Sequence, residues 1–476
     1  MSGYGTQVNV PPKRPALTRN LLLATAVACL GSIQYGYHIA ELNAPEQFLV
    51  CPNDSHSSGI INSSPQCITM TDQQFGAVTS IFSIGGLVGS FFIGNYASKY
   101  GRRLTSLYVS VLAFLGSLVM FMAGSFNSLL LGRFIVGISC GSAIVITPLF
   151  INEIAPSQWK GALGSMNQLS INLGILLTQT LALPLANLQD WRWLLAVGCI
   201  LALLNALGWW YVGESPQWLV LHEHDTMKAS INLAYLRDCS LQTAKQEMEQ
   251  WVESSNNNNS ESHDATQELT FWGYITNPTY QRPRLAITLL LVGQQFSGIN
   301  SIIFYGVKVV SQVVSQYAIL VNFAISILNV IVTFIAGLII DRSGRKPLLI
   351  VSTLVMSLMS LIISISIISG HSIMLIVSLF GFIIAFALGI GPIPFLIIGE
   401  LSSAESMEQA QSYGTVCNWL ATFVIGYTFP ILNNVMGGYV YLTFSAMTVL
   451  LLVGIRKYVP ETKGTLNANE AWQTFN

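Results

Sequence analysis

Twelve stretches of about twenty mainly apolar residues dominate the chain, the length a helix needs to cross roughly 30 Å of hydrocarbon. They lie near 20–41, 74–98, 103–124, 128–152, 161–186 and 190–213, then near 284–311, 316–340, 346–369, 373–401, 408–435 and 437–458. A polar interval at 214–283 separates the two sets of six. The remaining residues could not cover a water-soluble surface. Charged residues are 9% of the chain and hydrophobic residues 52%, whereas a soluble domain carries about 25% charged residues. The expected fold is therefore all-α and membrane-embedded, with two six-helix bundles. A formal charge of -1 supplies no basic stripe for nucleic acid. No metal-ligand cluster and no closely paired cysteines occur, so neither a metal nor a cofactor is expected.

The expected domains are an N-terminal segment (1–19), a first bundle (20–213), a linker (214–283), a second bundle (284–458) and a tail (459–476). Lys13, Arg14 and Arg19 precede the first apolar run, but no small-residue cleavage site follows, so the run reads as a retained span. Short-loop basic residues set orientation. Lys99, Arg102, Arg103, Lys160, Arg342, Arg345, Lys346, Arg456 and Lys457 fall on one side if the spans alternate, which places both termini and the linker in the cytoplasm. In the linker, 225–253 has helical character, with Leu233, Leu236, Leu241 and Trp251 among charges. The tract Asn256–Ser260 is low in complexity.

Five cysteines (Cys29, Cys140, Cys199, Cys239, Cys417) read as packing residues or a loop thiol. Cys51 and Cys67 share the polar segment after the first span with two sequons, at Asn53 and Asn62. If that segment faces a lumen or the exterior, a Cys51–Cys67 disulfide and glycosylation are both open to it.

The two halves repeat one motif. Gly94-Asn95-Tyr96-Ala97-Ser98-Lys99-Tyr100-Gly101-Arg102-Arg103 closes the second span, and Gly337-Leu338-Ile339-Ile340-Asp341-Arg342-Ser343-Gly344-Arg345-Lys346 closes the eighth. Such a repeat marks duplicated bundles. Further motifs are Leu131-Gly132-Arg133-Phe134, Glu153 with Lys160-Gly161, Trp191-Arg192-Trp193, Gly213-Glu214-Ser215-Pro216, Gln294-Gln295-Phe296-Ser297-Gly298-Ile299-Asn300, Gly391-Pro392-Ile393-Pro394-Phe395 and Pro460-Glu461-Thr462-Lys463-Gly464. Together and in this order they resemble the sugar porter branch of the major facilitator superfamily over nearly the whole chain. The segment Gly31–Asn43 is similar to fungal sugar-porter-like proteins associated with the vacuole. The resemblance implies a twelve-helix fold with inverted repeats inside each bundle, and a vacuolar membrane ahead of the plasma membrane.

A sugar is neutral and rich in hydroxyls, so binding it calls for amides, hydroxyls and an aromatic wall. Positions matching the family's sugar contacts are Gln168, Gln294, Gln295, Asn300, Asn329, Asn418 and Trp419, with Tyr305 as a further candidate. Phe395 stands where facilitative glucose transporters carry Trp, keeping a wall but losing an N–H donor. Intramembrane amides can also simply tie helices together. On a continuous helix Gln295 and Asn300 would lie about 140° apart, so they share a face only if the helix unwinds near Gly298.

The resemblance also implies a cytoplasmic charge network of Arg102, Glu153, Lys160, Glu214, Asp341, Arg345 and Glu400 that holds the bundles together while the outside is open. This chain departs from the pattern with Met407 in place of Arg and with Ser98 in the first loop. Proton-driven members carry an Asp in the first span near Arg133. Here that position is His38, and Glu41 lies one turn further on. Uniport is the first reading, and proton symport through Glu41 and Arg133 the second. The expected partners are a small neutral solute, a monosaccharide above all, the lipid bilayer and, in the coupled reading, protons. The alternative to transport is a transporter-like receptor or vacuolar trafficking factor. An enzyme is not expected, since no nucleophile–base arrangement is apparent.

Overall fold

The computed structural model describes residues 17–51, 60–61, 64–65, 67–156, 159–220, 225–249, 269–403, 406–463 and 468–473. Its first six spans are the helices Arg19–Ala40, Asp72–Tyr100, Arg102–Phe121, Phe126–Ile154, Lys160–Leu185 and Trp191–Tyr211. The eighth, ninth, eleventh and twelfth are Ala318–Ser343, Arg345–Ser369, Met407–Met436 and Val440–Tyr458. The seventh and tenth are each broken in two, as Gln281–Phe296 with Ile299–Ser311, and Ser372–Leu388 with Ile393–Leu401. Apolar length alone marks the spans from the second onward as able to cross a membrane. The first falls short because it carries Thr25, Ser32, Gln34 and His38, all buried.

Capping sets several helix starts. Thr71 and Gln74 form a reciprocal capping box at the second span, and Thr18 accepts the Leu21 N–H at the first. Gly101 alone joins the second and third spans, and Gly344 alone joins the eighth and ninth, at φ of 84° and 87°. A side chain is disfavoured in that region, so glycine makes a one-residue corner possible.

Packing follows the logic of lipid. In the ninth span Ser352, Thr353, Ser357, Ser360 and Ser364 are buried, while Val351, Leu354, Leu358, Leu361 and Ile365 are exposed. Apolar side chains gain nothing by leaving hydrocarbon, so small and polar residues take the helix–helix contacts. Within the first half the second span packs on the fourth, and the first on the fifth. Between halves, the second meets the eleventh and the fifth meets the eighth.

Cys51 and Cys67 are joined as a disulfide with Cα atoms 5.4 Å apart, beside a short parallel pairing of Val50–Cys51 with Ile68–Thr69. Asn53 and Asn62 lie outside the described residues. In the linker the helix Thr226–Arg237 buries Leu233 and Leu236. Leu241 is exposed, and the helix ends before it at Asp238 in the left-handed conformation, so the helical character expected over 225–253 is interrupted there. Trp251 and Asn256–Ser260 lie outside the described residues.

The first and fifth spans cross backbone to backbone. A Cβ on Gly174 would stand 2.0 Å from the Ile33 carbonyl oxygen, whereas one on Gly94 would meet nothing within 4 Å. Gly174→Ala is expected to cost about 2 kcal/mol or more through forced separation of the spans, and Gly94→Ala to be neutral or slightly stabilising. Thermal unfolding of the two variants in detergent checks the contrast.

Candidate functional site

The break in the seventh span builds the centre of the site. Gly298 takes φ of 90° between the two helical pieces. A Cβ there would also press to 2.5 Å on the Phe444 ring. The change of direction brings Asn300 back to Gln295, whose Oε1 accepts from Asn300 Nδ2 at 2.6 Å. Gln295 Nε2 donates to Gln294 Oε1 at 3.2 Å, and Asn418 Nδ2 donates to the same oxygen at 3.1 Å. Gln294 Nε2 in turn donates to the Ile390 and Gly391 carbonyls at 2.7 and 3.0 Å. Those carbonyls belong to the break in the tenth span. Pro394 has no N–H to give the Ile390 carbonyl, so the Gln294 amide takes its place. Four buried or half-buried amides from two spans thus converge where two helices are interrupted.

An aromatic group lies across the halves, with Trp419 on the eleventh span and Tyr35 and Phe82 on the first and second. Trp419 is buried, donates from Nε1 to Ser90 Oγ at 2.8 Å, and stands 6.1 Å from both the Tyr35 and Phe82 rings. Sequence reasoning missed Tyr35 and Phe82, which nothing but their span positions could have suggested. Asn329 donates to Asn172 Oδ1 at 3.5 Å, and Asn172 donates to Thr333 Oγ1 at 2.8 Å. Asn172 was also missed, although it follows Gln168 by one helical turn, the spacing that stacks side chains on one face. Gln168 is half-buried.

Two further candidates, Tyr305 and Phe395, make other contacts. Tyr305 is fully buried, with its hydroxyl on the Gly426 carbonyl at 2.7 Å and its ring against Phe75 and Phe429. Phe395 packs with Tyr274, Ile287 and Ile398 toward the start of the seventh span.

Three buried ionisable groups meet beside the aromatic group. Arg133 Nη1 donates to Glu41 Oε1 at 2.8 Å and to the His38 carbonyl at 2.7 Å. His38 Nδ1 lies 2.9 Å from Glu41 Oε2, and the three side chains are fully buried. The Arg133 guanidinium stacks 4.5 Å over Phe82, so the charges touch the ring that leads to Trp419. Arg133 Nε and Nη2 have no acceptor among the described residues.

On the face carrying the glycine–arginine corners, here the basic face, each half closes its own charge cluster. Arg102 holds Glu153 through Nε at 3.0 Å and Nη2 at 2.5 Å. Glu214 accepts the backbone N–H groups of Arg102 and Arg103 at 2.8 and 3.0 Å. Burial pushes the Glu214 carboxyl up, against the pull of those N–H donors and of Arg102. In the second half Arg345 holds Glu400 at 2.9 Å, and Glu461 accepts the N–H groups of Arg345 and Lys346 at 2.9 and 3.1 Å. Glu461 was missed as a site residue. The signal was present, since Gly213-Glu214-Ser215 and Pro460-Glu461-Thr462 close the two halves alike. The side chains of Lys160 and Asp341 lie outside those described, and Met407 is exposed.

The described clusters sit within halves; the bridge between halves was expected for the arrangement open on the opposite face. Among the described residues, ion pairs between the halves lie on the opposite face, where Lys308 reaches Glu46 at 2.8 Å and Asp72 at 3.6 Å. Asn43 adds to that contact by bonding the Ile303 carbonyl and the Val307 N–H at 3.0 and 2.9 Å. Toward the basic face a Cβ on Gly94, Gly164 or Gly337 would meet only open space within 4 Å.

The family profile described as "Sugar (and other) transporter" matches residues 24–470. The chain belongs to the sugar porter family of the major facilitator superfamily. A probable metabolite transport protein of Saccharomyces cerevisiae is 53% identical to this sugar porter over 97% of both chains. Vacuolar protein sorting-associated protein 73 of the same yeast is 44% identical over 94% of this chain and 95% of its own length. In fold, this chain is similar to the partially occluded inward-open xylose transporter XylE of E. coli, with a TM-score of 0.76, 24% identity, and 94% and 100% of the two chains covered. The family is one of transporters and not of enzymes.

The two corner carboxylates of this sugar porter should matter equally to stability. Glu214→Ala and Glu461→Ala each leave two backbone N–H groups without their charged acceptor, so each is expected to cost about 2 kcal/mol. Comparable losses in thermal unfolding of the two variants would bear out the symmetry of the halves. A loss in one alone would contradict it.

Proposed function

We propose that this chain carries a neutral, hydroxyl-rich solute of monosaccharide or polyol size across a membrane by alternating access. The observation that carries the reading is the convergence of Gln294, Gln295, Asn300 and Asn418 at two helix breaks. Each amide offers donors and an acceptor without a net charge, which suits a hydroxyl-rich, uncharged ligand. The four already bond one another, so an arriving hydroxyl exchanges one hydrogen bond for another and leaves no buried group unpaired. Tyr35, Phe82 and Trp419 offer apolar faces for a sugar ring. The family's name and the xylose carried by the structural neighbour XylE support the substrate class, with hexoses the first to try. Contact of the halves on one face and open space toward the other fits a carrier open toward its basic side.

Glu41, Arg133 and His38 favour the coupled form of this reading over uniport. A facilitator has no need of an ionised pair buried beside its site, where desolvation is expensive. A carboxylate that changes partner on protonation would link a proton to the movement of the halves. The basic residues of the short loops support a cytoplasmic position for both termini, and the name of the vacuolar sorting relative supports the vacuolar membrane. That same name is the support for a trafficking role without substantial transport.

Counterflow of radiolabelled glucose in proteoliposomes, competed by hexoses, pentoses and polyols, tests transport itself. Saturable exchange is expected, and its absence in folded protein would favour the trafficking role. Gln295→Ala and Asn300→Ala are each expected to lower uptake at least about tenfold, the equivalent of one lost hydrogen bond, with membrane insertion intact. Normal uptake in both would refute this position for the site. For coupling, Glu41→Gln is expected to abolish the stimulation of uptake by a proton gradient while sparing counterflow. Wild-type uptake indifferent to that gradient would mean uniport.

A further inference from the structure

The contact between halves on the face opposite the basic one has an unusual charge count. Glu46, in the short helix Glu46–Leu49 after the first span, and Asp72, at the start of the second, both belong to the first half. A single ammonium, Lys308 of the seventh span, serves them at 2.8 and 3.6 Å. Tyr305 also faces Glu46 from the seventh span. The second oxygen of Glu46, Oε2, is buried and has no hydrogen-bond partner among the described residues. A cavity of about 450 Å³ lies against the trio, lined in part by Asn43, Gln47 and Ser311. Asp72 is half exposed and Lys308 a quarter exposed, so water reaches the group.

We propose that Glu46, Asp72 and Lys308 form a proton-binding site between the halves, and that proton uptake at Glu46 favours closure of this face. Two carboxylates against one ammonium leave a surplus negative charge when the halves meet, and one proton removes it. The unpartnered oxygen is costly while the carboxylate is charged and much less so once it is neutral. Separation of the halves returns Glu46 to water and removes that cost. Burial pushes the Glu46 carboxyl up in the closed arrangement, with Asp72 adding to the rise and Lys308 opposing it. A group that binds protons more tightly in the closed than in the open arrangement draws the equilibrium toward closure as pH falls. Lys308 is the hook. Without it two acids of the first half face the second with no counter-charge. This inference rests on the two-half movement of the proposed transport cycle, and not on the solute carried or on Glu41.

Spin labels at Leu188→Cys and Val435→Cys, two exposed positions at the ends of the fifth and eleventh spans on this face, read the separation of the halves. The free cysteines would be replaced by Ser and the Cys51–Cys67 disulfide kept. Pulsed electron–electron distance measurements in nanodiscs should show the short-distance population rising as pH falls from about 7.5 to about 5, the range above an ordinary carboxylate. Glu46→Gln, which fixes the neutral form, should hold the short distance at both pH values. Lys308→Ala should raise the long-distance population about fivefold at the higher pH. A wild-type distribution that is unchanged or lengthens on acidification would overturn the proposal. So would a Glu46→Gln variant that keeps the wild-type pH response, since the response would then belong to another group. Because the readout is a distance, a loss of uptake cannot be mistaken for failure of the site.

Discussion

Within hydrocarbon, every backbone N–H and C=O must find its partner inside the protein. Among the described residues the seventh span breaks at Gly298 and the tenth at Gly389–Pro392, and side chains supply what the helices cannot. Ser297 and Ser301 donate to the Gln294 and Gly298 carbonyls at the first break, and an amide serves the second. Gln294 covers the carbonyls freed near Pro394, Gln295 answers Gln294, and Asn300 answers Gln295. The tenth-span interruption is tolerable because of the Gln294 amide, and the amides can converge because of the interruptions. In the proposed site, the group that satisfies the broken tenth span is therefore also one of those offered to a hydroxyl-bearing ligand.

The corners on the basic face show how duplication reuses a device. A glycine with positive φ, an arginine after it, a carboxylate on the arginine and another on the backbone N–H groups recur in both halves. The backbone carboxylate fits because glycine leaves room. Glu214 Oε2 would stand 2.4 Å from a Cβ on Gly101, and Glu461 Oε2 2.9 Å from one on Gly344. These clusters stiffen the ends of each bundle, so that the halves can move as bodies with their corners intact.

Much of the fold was legible in the sequence because lipid imposes a length rule that few soluble helices meet. The twelve spans fall where apolar length puts them, and the break at Gly298 followed from the angle between Gln295 and Asn300. What could not be read was depth and direction within a bundle. Phe395 matched a family position, and its packing beside Tyr274 beyond the tenth-span break is a contact that periodicity does not reveal. Tyr305 was a further ligand candidate on the seventh span. Its partner, the Gly426 carbonyl, is 121 residues away. Asn172 and Glu461 were within reach, the first by helical spacing and the second by the internal repeat.

The two faces of the molecule are held by different physics. On the basic face the described charges are paired within each half in this arrangement. On the opposite face Lys308 spans the divide, and Asn43 bonds the backbone of the other half beside it. Closing that face removes charged groups from water, and the gain from pairing must exceed that loss. One ammonium does not neutralise two carboxylates, so this contact is poised near balance. A contact so poised responds to small changes, a property a rigidly paired interface lacks. The buried Glu41–Arg133 pair stands two residues before Asn43, which bonds across the divide. The outer contact and the buried pair are therefore joined by one short segment of chain, so that any proposed change of charge at Glu41 would arise beside the contact that spans the halves.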